Sequence, residues 1–325
     1  MNILWVVSGE QNDTHQMCWA KRQLEYFSQQ SKYRIVVYYV SYSKSLKSIY
    51  KVVSEILHKN KEDNFELIHC QFGAGLSFFG VLLKILLNKK LIVSFRGSDV
   101  NGSAESSFII NLAIKTLSNL ASFCSDSAIF VSNQLLSAIT IKPKRKFIIF
   151  DGIDLKKFYH IDRTKARESL SLNKDSFILF FNAGKFPKIK GLDFIKKIQL
   201  RLQEQGFEFT LIVSKGDRST EEMNLLYNSS NVTLFASLHE GSPNVIKEAL
   251  VCGCPVISNA IGDTTSISEI NSNLYIRKRT VDDFVKTIIE LAPRKNRTIN
   301  YTFNEEVSIN KTVDRILDVY DQTCQ

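Results

Sequence analysis

Two glutamates, Glu240 and Glu248, lie eight residues apart in HEGSPNVIKEALVCG (239–253), with Gly241, Ser242, Pro243, Asn244 and Val245 between them. Ser242 suits a helix N-cap and Pro243 the first helical position; the helix then runs to about Cys252 and stops at Gly253. Its first turn leaves the N–H groups of Asn244 and Val245 at the positive end of the helix dipole. That is an anion site, and a diphosphate fits it. A carboxylate beside a bound phosphate is electrostatically costly unless it has a second task. Gripping hydroxyl groups is such a task, because one carboxylate accepts two hydrogen bonds from a vicinal diol. One glutamate would hold a sugar and the other a ribose.

A second segment can serve the same ligand. NAGKFPKIKGLDF (182–194) carries Lys185, Lys188 and Lys190 ahead of Gly191. Two of these lysines would close over the diphosphate and neutralise the charge that develops as a phosphate leaves. A solvated basic loop is the competing reading of that run alone. Other chemistries find little support. The glycines of FGAGLSFFG (72–80) do not make GxGxxG, there is no GxxxxGK[ST] loop, and the six cysteines form no CxxC pair. No metal-ligand spacing and no Ser/His/Asp order stands out, so no metal is expected. Cys252 and Cys254 read as small buried residues, and His15, beside Asp13 and Thr14, reads as a helix-start residue.

The elements that must position these groups are legible as apolar runs. Strands are expected at 2–7, 34–40, 66–70, 91–95, 127–131 and 146–150, then at 177–181, 209–213, 232–235 and 255–258. Helical patterns lie between them. Runs this apolar are buried on both faces, as in parallel sheets covered by helices, so the expected fold is α/β with two Rossmann-like doubly wound domains. The expected boundaries are 1–155 and 156–303, with the turn-rich stretch 151–166 as linker. A helix over 304–325 is expected to pack across both domains through Val307, Ile309, Val313, Ile316, Leu317 and Tyr320. LSFFGVLLKILL (76–87) is too short to span a bilayer and reads as a core helix, with a membrane-facing surface helix as the alternative.

The chain has 325 residues and a net charge of +9. Residues 1–150 hold 18 Lys/Arg against 10 Asp/Glu, whereas 151–325 hold 24 against 23, so the excess sits in the first half. That one-sided field points to an anionic partner such as a membrane surface, with a basic composition of no functional meaning as the alternative. No aromatic-basic nucleic-acid module accompanies it, so nucleic acid is not an expected partner. The amino terminus reads as a first strand rather than a signal peptide, and the cysteine usage suits a reducing cytoplasm, with peripheral attachment at the cytoplasmic face of a membrane.

The Glu240–Glu248 motif resembles the signature of glycosyltransferase family 4, retaining enzymes of GT-B fold. Four further segments resemble family motifs in the same order: ELIHCQFGAG, IVSFRGSDV, FDGIDLKKF (150–158) and AGKFPKIKG. The resemblance implies two domains facing a central cleft and a metal-free, cofactor-free transfer from a nucleotide-diphospho-sugar to a glycan or lipid-linked acceptor in cell-surface polysaccharide assembly. It implies that Glu248 binds ribose and Glu240 the donor sugar. Gly241 to Val245 would border the sugar and diphosphate, Lys190 and Lys185 would hold the diphosphate, and Ser214 in VSKGD would lie beside the base. Gly9, His69, Arg96 and Asp99 fall on the acceptor side, with Arg96 grouped with Glu240 and Lys190 as catalytic. His69 has loop-shaping hydrogen bonds as its competing reading, and Asp99 reads mainly as holding the Arg96 loop.

The chain departs from the family pattern at several places. Lys185 replaces an arginine, Arg96 stands where many members have histidine, Ser8-Gly9-Glu10 replaces a glycine pair, and Gly262-Asp263 replaces another. Ser266 replaces a glutamate. An arginine cannot act as a base. These departures support a different class of function as the alternative: a non-catalytic GT-B-like subunit that binds a nucleotide-sugar or assembles with a partner.

Overall fold

The computed structural model describes residues 1–10, 17–28, 32–40, 46–102, 106–294 and 297–325. His15, Asp13 and Thr14 lie outside the described residues. The chain divides into two compact units, 1–152 with 309–325, and 153–308.

The first unit contains β1 (Asn2–Ser8), α1 (Cys18–Phe27), β2 (Arg34–Val40), α2 (Leu46–Asp63), β3 (Leu67–Cys70), α3 (Ala74–Leu87), β4 (Lys90–Phe95), α4 (Ser98–Asn101), α5 (Phe108–Cys124), β5 (Ser127–Phe130), α6 (Asn133–Ala138) and β6 (Arg145–Ile148). Its six strands are all parallel, in the order β2-β1-β3-β4-β5-β6. Strands such as ILWVV of β1 are buried on both faces, because helices cover both sides of the sheet. β1 sends the chain outward to β2 and the next strand, β3, returns on its other side. The topological switch therefore lies between the carboxyl ends of β1 and β3, where α/β sheets bind ligands.

The second unit contains α7 (Arg163–Ser169), β7 (Ile178–Asn182), α8 (Pro187–Lys190), α9 (Leu192–Glu204), β8 (Thr210–Ser214), α10 (Thr220–Ser229), β9 (Val232–Phe235), α11 (Asn244–Val251), β10 (Val256–Asn259), α12 (Thr264–Ile270), β11 (Leu274–Arg277), α13 (Val281–Leu291) and α14 (Tyr301–Glu306). Its parallel order is β11-β10-β9-β7-β8, so the switch falls between β7 and β9. Strand β11 has no counterpart in the sequence reading: it is a four-residue edge strand, buried fully only at Leu274, and its apolar signal is weak.

The carboxyl-terminal stripe is two elements rather than one. α14 belongs to the second unit, and α15 (Ile309–Cys324) is part of the first. Val307 stays with the second unit through Ile153 N–H bonding to its carbonyl at 2.8 Å. Ile309, Val313, Ile316, Val319 and Tyr320 are buried in the core of the first unit, where the Tyr320 ring meets Phe27 and His69. The expected single helix from 304 is interrupted because Val307 and Ser308 pair with the chain at Ile153.

Candidate active site

The loops after β7 and β9 meet at the switch point of the second sheet. Leu238 N–H donates to Ile189 O at 2.9 Å. Gly191 makes this approach possible: its φ is +89°, and a Cβ there would lie 2.5 Å from Ala236 O. The same glycine ends α8 and opens α9. Across this junction the Lys190 ammonium pairs with Glu240 Oε1, which also accepts from Ser237 Oγ at 3.1 Å. Lys190 and Glu240 are thus brought together, both partly open to solvent. Lys185 and Lys188 are exposed on the same turn, whose close neighbour is the loop after β8: a Cβ on Gly216 would lie 3.4 Å from Gly184. Ser214 ends β8, buried, with its carbonyl accepting from Ala183 N–H at 2.8 Å.

Helix α11 starts one residue later than its sequence implies. Pro243 takes the N-cap position and no side chain caps the helix. The expected cap, Ser242, is engaged elsewhere: its hydroxyl donates to Asp263 and accepts from Lys247 Nζ at 2.6 Å. The first-turn N–H groups of Asn244 and Val245 are therefore left without a side-chain acceptor, as an anion site requires. Asn244 Oδ1 is buried with no hydrogen-bond partner among the described residues. The helix ends as its sequence implies, with Gly253 N–H bonding to Leu250 O and Cys254 N–H to Ala249 O, both at 2.9 Å. Cys252 and Cys254 are buried, and burial pushes the Cys252 thiol up.

Glu248, one and a half turns into α11, is buried and accepts from the Tyr227 hydroxyl at 3.0 Å. Tyr227 lies on α10. Burial, and then the Glu248 charge, drives the Tyr227 hydroxyl well above its ordinary pKa, so it remains a donor. Sequence reasoning missed Tyr227, Lys247 and Asp263. Lys247 is fully buried and lies 3.7 Å from Asp263 Oδ2. Its signal was a lysine inside the apolar run VIKEALV, matched by the aspartate that departs from the family's second glycine. Gly262, φ +61°, brings the Asp263 loop against the site: a Cβ there would lie 2.6 Å from Gly241 O.

In the first unit the assigned residues form one buried polar network at the ends of β3 and β4. His69 is fully buried, with Nδ1 2.7 Å from the Tyr320 hydroxyl and Nε2 2.8 Å from Ser94 Oγ. Trp5 Nε1–H donates to the Tyr320 hydroxyl at 2.8 Å. Burial, with the Arg96 charge adding to it, holds the imidazole well below its usual pKa. His69 accordingly shapes the fold and offers no surface to an acceptor, which corrects its expected place on the acceptor side. Asp99 accepts from the backbone N–H groups of Arg96, Gly97 and Gly73, the last two at 2.7 and 2.8 Å, and so fixes the Arg96 loop. Burial pushes its carboxyl up, against those three donors.

Arg96 is not the open cation its sequence position implies. Its Nη1 pairs with Asp151, its Nη2 donates to Gln71 Oε1 at 3.1 Å, and its guanidinium lies over the Trp19 ring. Gln71 in turn reaches His69. Asp151 and Gln71 were not singled out by sequence reasoning, because their partners are 55 and 25 residues away. Gly9 closes β1 through its N–H to Val40 O at 3.0 Å. Ser266 is exposed on α12. Among the described residues no group of three His, Cys, Asp or Glu side chains is placed to hold a metal ion.

Comparison with known proteins agrees with this architecture. Residues 183–293 match the family described as glycosyl transferases group 1. The chain is 23% identical over 319 residues to the UDP-Gal:alpha-D-GlcNAc-diphosphoundecaprenol alpha-1,3-galactosyltransferase of Escherichia coli, covering 85% of this chain and 79% of that protein. Among solved structures, sucrose-phosphate synthase of Thermosynechococcus elongatus aligns with a TM-score of 0.77 at 16% identity, over 99% of this chain and 98% of that one. The Anabaena protein Alr3699/HepE in complex with UDP aligns with a TM-score of 0.75 at 14% identity, over 99% and 100%. The two parallel, doubly wound sheets have the GT-B fold of these solved glycosyltransferase structures, and residues 183–293, in the second unit, match the glycosyl transferases group 1 family.

Proposed function

We propose that this protein is a retaining, metal-independent glycosyltransferase of family 4. It would move a sugar from a nucleotide-diphospho-sugar to a glycan or lipid-linked acceptor in cell-surface polysaccharide assembly, working at the cytoplasmic face of a membrane. The observation that carries the reading is the Lys190–Glu240 contact at the β7/β9 switch point, next to a helix start that no side chain caps. The diphosphate would sit on the α11 amides with Lys190 and Lys185 over it, Glu240 would take the sugar hydroxyls, and Glu248, oriented by Tyr227, the ribose. As the glycosidic bond to the diphosphate breaks, the lysines meet the growing negative charge, and the departing phosphate oxygen takes the acceptor proton on the same face. No side-chain base is needed, which suits a chain whose Arg96 cannot be one. The UDP in the HepE complex and the UDP-Gal of the Escherichia coli relative make UDP-sugars the first donors to try, and the diphosphoundecaprenol of that relative's substrate supports a lipid-linked acceptor.

One observation favours the non-catalytic reading: Arg96 is committed to Asp151 and Gln71. A thermal-shift screen with nucleoside diphosphates and their sugars, on wild type and Glu248→Ala, followed by a transfer assay, separates the two. Ligand at about 100 times its Kd stabilises by about 2.7 kcal/mol, a shift of several degrees. A shift lost in the variant, with transfer to an acceptor, supports the enzyme. The same shift with no transfer across a broad acceptor panel supports the binding protein, and no shift at all refutes the assigned donor site.

A further inference from the structure

Helix α5 is turned inside out. Its buried residues are Ser118, Ala121 and Ser122, while its large apolar side chains face water. Phe108 is 81% exposed, Ile109 77% and Phe123 64%. A helix on a parallel sheet ordinarily buries its large residues and exposes its polar ones. Here the small face is needed inside, where Ser118 Oγ accepts from Ala74 N–H at 2.9 Å and donates to Asp99 O. That leaves the outer face free to be apolar for another reason. α3 packs beside α5 and adds Ile85, 72% exposed, to the same side of the sheet. The loop after α6 continues the patch: Thr140 and Ile141 N–H groups bond Asn119 Oδ1, and Leu112, Leu120, Phe123 and Ile141 line a shallow groove.

The charge around this patch is one-sided. α3 and α5 contain no acidic residue and one lysine each, Lys84 and Lys115. Residues 84–146 hold nine Lys/Arg against three Asp/Glu. Of those three, Asp99 is buried and Asp126 is paired with Lys84. Lys142, Lys144, Arg145 and Lys146 are all exposed directly after Ile141. Apolar patches of this extent mark interaction surfaces. Two copies of this chain meeting through it would set like-charged rims face to face, which disfavours a homodimer. No described helix is long and apolar enough to cross a membrane, so the patch lies on a surface rather than spanning one.

We infer that the α3/α5 face of the first unit docks on an anionic lipid surface. Phe108, Ile109, Phe123 and Ile85 enter the acyl boundary, and the 142–146 cluster meets the headgroup phosphates. This deepens the membrane part of the proposed function and rests on that part alone, not on the donor site.

The test is flotation of the full chain with vesicles of phosphatidylcholine, with or without one-third phosphatidylglycerol, at low and high salt. The wild type is expected to partition into the anionic vesicles and to be released by salt. Phe108→Ser/Ile109→Ser should weaken partitioning about 100-fold, and Lys142→Gln/Lys144→Gln/Lys146→Gln by a similar factor. Leu200→Ser, at an exposed leucine of the second unit, should leave it unchanged. All three variants alter exposed positions, so unchanged thermal unfolding and unchanged nucleotide shifts show that the fold and donor site persist. Equal flotation of wild type and Phe108→Ser/Ile109→Ser overturns the surface while sparing membrane association. No flotation of the wild type overturns both, and a lipid-free dimer that this double variant dissociates assigns the face to self-association instead.

Discussion

Replacing Glu240 by Gln should tighten nucleoside diphosphate binding while lowering transfer. Glu240 and Lys190 are in contact, with side chains 18% and 26% exposed, so their effective dielectric constant lies between the protein-surface and bulk values. At about 6 Å and a dielectric constant of about 40, a carboxylate opposes a unit of phosphate charge by roughly 1.4 kcal/mol, about tenfold in affinity. Glu240→Gln removes that repulsion and releases Lys190 for the phosphate. The fold should tolerate the change, because a partly exposed ion pair contributes at most about 1 kcal/mol. The sugar hydroxyls, however, lose a charged acceptor worth roughly 1.5–3 kcal/mol, so turnover should fall about 10- to 150-fold. Calorimetric titration with UDP and with UDP-sugar at two salt concentrations reads both effects. UDP should bind more tightly to Glu240→Gln at low salt, with the gain shrinking at high salt. In Lys190→Met the Glu240 charge loses its cation and UDP binding should weaken; the double variant should lie between. UDP binding weakened by Glu240→Gln, or the same gain at both salts, would refute the placement of Glu240 beside the diphosphate.

Three further outcomes follow from other contacts. Glu248→Gln should lower nucleotide affinity about 10- to 150-fold, and Tyr227→Phe, which only orients Glu248, by about 3- to 10-fold; Lys190→Ala should reduce kcat more than either does. Asp263→Ala strands the fully buried Lys247 ammonium and should cost roughly 3–5 kcal/mol in urea unfolding, with most of it recovered in Lys247→Met/Asp263→Ala; no recovery would mean that the pair is not the cause. His69 is neutral in the folded protein because its pKa is depressed. The unfolded chain therefore takes up a proton below about pH 6.5 that the folded chain cannot, and stability should fall as pH drops through that range. An imidazole proton resonance of His69 that titrates with a midpoint between about 6 and 7 would contradict this.

Features that depend on neighbours in the chain are legible in the order of its residues. Apolar runs such as ILWVV and IVSF specify strands buried on both faces, and their alternation with helical spacing specifies two parallel sheets. The end of α11 follows from Gly253, and the order of the motifs carries the family resemblance. Even the start of α11 was legible to within one residue, since Pro243 fixes its backbone. The tertiary structure alone decided the partners. Ser242 abandons its expected cap for Asp263 and Lys247, Arg96 is drawn to Asp151, and His69 is closed in by Tyr320 from a helix 251 residues away. Whether α5 turns its serines or its phenylalanines toward the sheet was likewise undetermined locally, because a helix with one charge and apolar residues on nearly every side carries no clear inner face. Local propensity is set by a residue and its few neighbours, whereas charge pairing and burial are set by which surfaces the topology brings into contact.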